Sequence, residues 1–256
     1  MGKFDGILIC SDLDGTFCRD NNTGKNCEAV KYFIENGGHF SVATGRNISH
    51  IRELGLTDII NSPCCLLNGS VIYDYDREEL VKDSRLEYTL GEFLERIKLC
   101  SGKIVEFTVF EKETVFFDLK SIPAQLLNVH PYKILCRFEN SEDADEFKKS
   151  VMESDSFKNT SYISKSWDVG VEFNPLDGTK GNAVEFIKKH LGNIHTSIGI
   201  GDYENDIPLL TKADIGIATG NAIEIVKNVA DYIVKPCTES AVKDLIGKIE
   251  KGIIKR

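Results

Sequence analysis

The sequence predicts an α/β protein, a parallel-sheet core interrupted by an inserted α+β domain. Three observations carry this. The first part of the chain alternates short apolar runs with helix-period segments, and the last part does so again. Between them, residues 83–175 place strand-like segments in adjacent pairs, which suits antiparallel pairing packed on helices. Residues 1–82 and 176–256 are therefore expected to build one domain, and residues 83–175 a second one inserted into it.

The elements follow in order. Residues 7–12 form a compact apolar run that ends at a turn signal, as expected of a buried strand. Residues 27–35 show helical spacing, with Ala29, Val30, Phe33 and Ile34 on one side, and Asn36-Gly37-Gly38 ends that helix. A second strand is expected at 39–44, a second helix at 48–54 and a third strand at 63–67. Residues 70–73 then turn back as a fourth strand. The β-α-β-α-β order implies parallel strands joined by right-handed crossovers. Their nearly continuous apolar character implies helices on both faces.

The insertion reads as a helix at 89–100, a strand pair at 104–109 and 114–119, and a strand at 132–138. A charged helix at 142–152 and a strand pair at 159–164 and 167–173 complete it. The final part reads as helix 181–191, strand 196–201, helix 204–210, strand 214–218, helix 222–229, strand 232–234 and helix 240–249.

Composition narrows the function. With 41% hydrophobic and 28% charged residues, the chain is an ordinary globular one with a sizeable core. A net charge of −9 argues against a nucleic-acid binder, which needs a basic face. No apolar run has the length of a membrane span, and the first residues lack a leader's apolar stretch, so a cytoplasmic protein without membrane contact is expected. The eight cysteines form no CxxC pair, which speaks against a zinc site. The five histidines show no metal-ligand spacing. Thr23-Gly24-Lys25-Asn26 lacks the glycine and the hydroxyl residue of a nucleotide-binding loop, and no G-x-S-x-G elbow is present.

Four segments carry chemistry. Ser11-Asp12-Leu13-Asp14-Gly15-Thr16 lies where the first strand ends. Residues two apart on an extended segment share a side, so Asp12 and Asp14 face one cleft. Ser41-Val42-Ala43-Thr44-Gly45-Arg46 puts a hydroxyl at the end of the second strand, although a helix N-cap explains Thr44 equally well. Lys180 in Gly178-Thr179-Lys180-Gly181 opens a helix, where a cation opposes the helix dipole unless an anion sits there too. Gly199-Ile200-Gly201-Asp202-Tyr203-Glu204-Asn205-Asp206 brings two more carboxylates to a strand end, an oxygen-only donor set that suits Mg²⁺. Each segment alone has an ordinary explanation in turns, caps or solvated surface. Together they converge on the carboxyl ends of parallel strands, where open α/β sheets bind ligands.

These segments, SDLDGTF, SVATGR, the lysine of DGTKGNAV and GDYENDIPLL, occur in an order that resembles the haloacid dehalogenase (HAD) superfamily, in its Cof-like branch of phosphatases. Leu67-Asn68-Gly69-Ser70 also looks like the Asn-Gly stretch of that branch. The resemblance spans essentially the whole chain. It implies a Rossmann-like core with a lid, or cap, inserted after the second motif. It further implies a Mg²⁺-dependent phosphohydrolase acting on a small phosphorylated metabolite such as a sugar phosphate. In that reading Asp12 is the nucleophile that becomes an aspartyl-phosphate, and Asp14 is the acid and base. Thr44, Gly45, Arg46 and Lys180 hold the phosphate. The metal is held by Asp12, the Asp14 backbone carbonyl and Asp202, with Asp206 and Asn205 completing its surroundings. Arg46 reads equally as a structural ion pair. In the lid, Arg137, Lys165, Trp167 and Asp168 are candidates for substrate contact, with a surface or core role the stronger reading for each. A phosphomutase on the same fold, or a non-catalytic metabolite-binding protein, are the alternatives.

Overall fold

The structure is a computed structural model that describes residues 2–98, 104–111, 114–117, 122 and 124–255, with the backbone alone for 114–117. Along the chain, β1 (Ile7–Ser11), α1 (Asn26–Glu35), β2 (His39–Val42), α2 (Ile48–Glu53), β3 (Cys64–Leu66), β4 (Val71–Asp74) and β5 (Glu79–Asp83) come first. The middle holds α3 (Leu90–Ile97), β6 (Glu106–Phe110), β7 (Thr114–Phe117), β8 (Lys133–Arg137), α4 (Ser141–Glu153), β9 (Tyr162–Trp167) and β10 (Gly170–Asn174). The chain ends with α5 (Lys180–Leu191), β11 (Thr196–Gly201), α6 (Ile207–Lys212), β12 (Ile215–Ala218), α7 (Glu224–Val229), β13 (Tyr232–Ile233) and α8 (Ala241–Glu250). The expected ends of the first insertion helix (99–100, including Cys100) and of the strand at 114–119 lie outside the described residues.

The core sheet is parallel throughout, in the order β13-β12-β11-β1-β2. β1 sits inside it, paired with β11 on one side and β2 on the other. Its successive side chains enter different layers, as strand geometry requires. Ile9 joins Val30 and Phe33 of α1 and Leu245 of α8, whereas Leu8 and Cys10 join Ala183, Val184 and Ile187 of α5. Both faces are thus covered, which is why β1 reads as a continuous apolar run.

Two elements depart from expectation. The third strand was expected to extend the parallel sheet, with the fourth turning back; β4 does turn back on β3, but the two, with β5, form a three-stranded sheet that joins the parallel one only loosely. It touches the parallel sheet through one bridge, Ala43 to Cys65. The cause is local: Leu67, Asn68 and Gly69 all have positive φ and turn the chain back at once. β5 itself is half-exposed and charged, so it carries no apolar run to announce it. The helix expected at 204–210 is split into a 3₁₀ turn, Glu204–Asp206, and α6, because Pro208 belongs at a helix start.

The insertion folds on a core of its own. Its antiparallel sheet has the order β7-β6-β8-β10-β9. One face, with Phe107, Val109, Ile134, Cys136, Val171 and Phe173, packs against Phe93 of α3 and Phe147 and Val151 of α4. The opposite face carries Glu106, Thr108, Phe110, Lys133, Leu135, Arg137 and Glu172, and it looks onto the ends of β1 and β2. Between the two lies a cavity of about 710 Å³.

Candidate active site

Three strand ends and one helix start build the site. Asp12 follows β1 and is anchored by its N–H donating to the Ile200 carbonyl of β11, 2.9 Å away. Asp202 follows β11, and Asp206 closes the next turn. One carboxylate oxygen from each of Asp12, Asp202 and Asp206 lies within 4.8 Å of the others. Lys180, fully buried at the start of α5, donates to Asp12 Oδ1 and to Asp206 Oδ1, each at 2.6 Å. Asp206 Oδ2 accepts the backbone N–H groups of Asp202 and Tyr203 at 2.9 and 3.1 Å, so its position is fixed. Thr16 donates to Asp202 Oδ1 at 2.5 Å. Gly15 has φ +81, and a Cβ there would come within 2.4 Å of Asp202 Oδ2, so any other residue would be strained and would push this carboxylate from its place.

The charges do not balance. Burial, and then the neighbouring Asp206, raise the pKa of Asp12 well above its ordinary value, and the opposing pull of Lys180 does not cancel this. The same two causes push Asp202 up to about 7. Burial alone would lower Lys180, but Asp12 and Asp206 hold it above the usual lysine range, so it stays an ammonium. Three carboxylates around one ammonium leave excess negative charge that a divalent cation would neutralise. Their oxygens are hard donors of the kind Mg²⁺ takes. The acidic cluster can therefore hold a metal.

Thr44, Gly45 and Arg46 line the same cavity as Asp12. Thr44 is buried, and its Oγ1 accepts the Arg46 N–H at 3.2 Å. The Arg46 guanidinium grips Asp14 with two bonds, Nε to Oδ2 at 2.6 Å and Nη2 to Oδ1 at 2.5 Å. The ion pair and the site position are therefore the same thing for Arg46. Asp14 remains open to the cavity, its side chain 55% exposed. Asn205, in the same turn as Asp206, donates its amide N–H groups to Asn68 Oδ1 and Ser166 Oγ at 3.1 Å each.

In the insertion, Arg137 lines the cavity and is paired with Glu106 at 2.7 Å, and Trp167 lines it as well. Lys165 does not belong to the wall: it is turned to the helix side of the sheet, 2.6 Å from Asp145 of α4. Asp168 accepts from Tyr203 Oη at 2.6 Å and so ties the insertion to the core. Sequence reasoning passed over Lys133 and Glu172, a buried ion pair at 2.8 Å on the cavity wall. A charged residue in an otherwise apolar strand, as in Lys133-Ile134-Leu135-Cys136 and Val171-Glu172-Phe173, is the signal that would have flagged both.

A profile of haloacid dehalogenase-like hydrolases matches residues 9–125 and 111–246. The chain is 25% identical, over 94% of its length and 93% of the relative's, to the 5-amino-6-(5-phospho-D-ribitylamino)uracil phosphatase of Bacillus subtilis. It is 29% identical to a phosphoglycolate phosphatase of Archaeoglobus fulgidus, over 90% of this chain and 91% of that one. The structure of a haloacid dehalogenase-like hydrolase from B. subtilis superposes with a TM-score of 0.77 at 20% identity, covering 96% of this chain and 99% of the other. With this fold, this site and these relatives, the chain belongs to the haloacid dehalogenase-like hydrolases, in their Cof-like phosphatase branch.

Proposed function

We propose that the chain is a Mg²⁺-dependent phosphomonoesterase that passes the phosphoryl group through Asp12 and then to water, acting on a small phosphorylated metabolite of the sugar-phosphate kind. The observation that carries this reading is the Lys180 ammonium bridging Asp12 and Asp206 inside an acidic cluster, at the floor of a cavity walled by a second domain. Residues 1–82 and 176–256 act as the catalytic core, and residues 83–175 as its lid.

Asp12 Oδ attacks phosphorus, and the leaving oxygen departs on the opposite side. Splitting hydrolysis into two transfers lowers each barrier. Lys180 fixes the rotamer of Asp12 through Oδ1. The hydroxyl of Thr44, with Oγ1 already accepting from Arg46 N–H, directs its own proton to a phosphoryl oxygen. Asp14 protonates the leaving oxygen and later takes the proton of the hydrolytic water. Arg46 occupies both Asp14 oxygens, so it has to turn towards the phosphate to leave Asp14 free for the leaving oxygen. Asp12, Asp202, Asp206 and the Asp14 carbonyl would hold Mg²⁺, with Asn205 close by. The ion would supply charge neutralisation between the anionic nucleophile and the phosphate.

The cavity is large for a bare phosphate and mixes hydrogen-bonding groups with Phe110, Leu135, Trp167 and Tyr203. This supports a leaving group of metabolite size. The test is phosphate release from p-nitrophenyl phosphate and a panel of phosphorylated sugars, polyols and nucleotides, with Mg²⁺ and with chelator. Turnover that stops with chelator and in Asp12→Asn supports the reading; full turnover by a folded Asp12→Asn protein rejects it.

A further inference from the structure

We propose that the buried pair Lys133–Glu172 of the lid is a positioning device for Thr44, so that the phosphate-binding hydroxyl is set by the lid and not by the core alone. This rests on the reading of Thr44 given above. Lys133 Nζ donates to the Gly45 carbonyl at 2.7 Å and to Glu172 Oε1 at 2.8 Å, and neither side chain is more than 3% exposed. The Gly45 carbonyl and the Arg46 N–H belong to one planar trans peptide, so they point in opposite directions. Holding the carbonyl towards the lid therefore aims the N–H back into the core, where it donates to Thr44 Oγ1 at 3.2 Å. A hydroxyl that already accepts there has its proton directed elsewhere, towards the cavity.

Glu172 completes the hold from the other side. Its Oε2 accepts from Asn68 Nδ2 at 2.7 Å, and Ser166 donates to the same oxygen. The Asn68 N–H in turn donates to the Thr44 carbonyl at 2.9 Å, and Asn68 Oδ1 accepts from Asn205. The Thr44 hydroxyl and carbonyl thus answer to the same two lid residues, while its N–H donates to the Cys65 carbonyl of the core at 2.9 Å. The crowding is specific to this turn: a Cβ on Gly45 would stand 3.1 Å from Asn68 Oδ1 and 3.3 Å from Lys133 Nζ. A buried ion pair is weak support for stability, since apolar replacements of similar volume often do as well. The hydrogen bonds this pair makes to third parties go to the Thr44 turn, to the Asn68 turn that holds it and to Ser166, which also meets Asn205; the Lys133 ammonium lies besides over the Phe110 ring, 4.3 Å from its centre.

The experiment is a set of variants assayed on p-nitrophenyl phosphate: Lys133→Met, the charge-balanced double variant Lys133→Met/Glu172→Gln, Thr44→Val, and Lys133→Met combined with Thr44→Val. Orthovanadate and inorganic phosphate inhibition are measured alongside. Misplacing Thr44 is expected to lower kcat in Lys133→Met by about tenfold or more with KM within about threefold. Orthovanadate affinity should fall with kcat while that of inorganic phosphate holds, because orthovanadate mimics the five-coordinate phosphorus. In the Thr44→Val background, Lys133→Met should cost little more, because both changes remove one contribution. The charge-balanced variant separates folding from positioning: it should melt near wild type and still show the loss. Multiplicative losses in the Thr44 combination, or wild-type kcat in the charge-balanced variant, overturn the inference and leave the phosphatase reading intact. A wild-type protein that neither releases phosphate nor binds orthovanadate overturns the phosphatase reading and this inference with it.

Discussion

Lys180→Met removes the cation that bridges Asp12 and Asp206 while nearly keeping the length of the side chain. Lys180 is fully buried and donates to two carboxylates at 2.6 Å each, one of which, Asp206, is also fully buried. Removing one partner of a buried ion pair costs about 3–5 kcal/mol, because the remaining charge has no water to turn to. For a chain of this size each kcal/mol lowers Tm by about 2–4 °C, so a fall of about 6–20 °C is expected without metal. The loss is limited by protonation of the cluster, since Asp12 is already raised by burial and Asp206 and would take up a proton instead. The sign with pH follows from Lys180: its folded pKa lies above the ordinary 10.5, so its contribution is present in full near neutrality and is lost as pH rises through the folded value. The assay is thermal and denaturant unfolding near neutral pH, with and without Mg²⁺, beside phosphate release. Mg²⁺ should restore much of the stability but not the rate, which should stay about 100-fold or more down for want of a charged donor. A metal-free Lys180→Met protein that unfolds within about 1 kcal/mol of wild type would refute the electrostatic account of the site.

Other outcomes follow from the same geometry. Asp12→Asn should abolish phosphate release while leaving the metal-free protein as stable as wild type or more so, because one of three crowded anions is gone; calorimetry and a phosphate assay check both halves. Gly15→Ala should cost about 1–3 kcal/mol through its positive φ and should weaken Mg²⁺ binding, because the new Cβ meets Asp202. An Asp202 raised from 3.8 to about 7 retains its proton longer in the folded state than in the unfolded one. Stability of the cation-free protein should therefore fall as pH rises between those values, and added Mg²⁺ should raise Tm more at about pH 8 than at about pH 5.5. A Tm gain that is equal at both would contradict it.

The site was legible to different depths. Asp12, Thr44, Lys180 and Asp202 were readable because each stands at a strand end or helix start, and such positions follow from the apolar pattern beside them. The two hydrogen bonds of Lys180 were not readable, since Asp12 lies 168 residues away and Asp206 lies 26. Which lid candidates face the cavity was not readable, because the register shift at Gly170–Val171 lets both Ser166 and Trp167 border the cavity while Lys165 turns to Asp145. The third strand keeps a parallel bridge to Ala43 as expected, but an apolar run specifies burial and not its main partner, and the positive-φ turn at Leu67–Gly69 makes that partner β4.

What the sequence determined by itself is the alternation of elements and the chemistry of each strand end, because both depend on residues close together in the chain. What tertiary structure alone decided is the pairing of charges: Arg46 with Asp14, Lys180 with Asp12 and Asp206, and Lys133 with Glu172 above Gly45. An ion pair depends on distance in space and on the water excluded around it, and neither quantity exists until distant parts of the chain have packed.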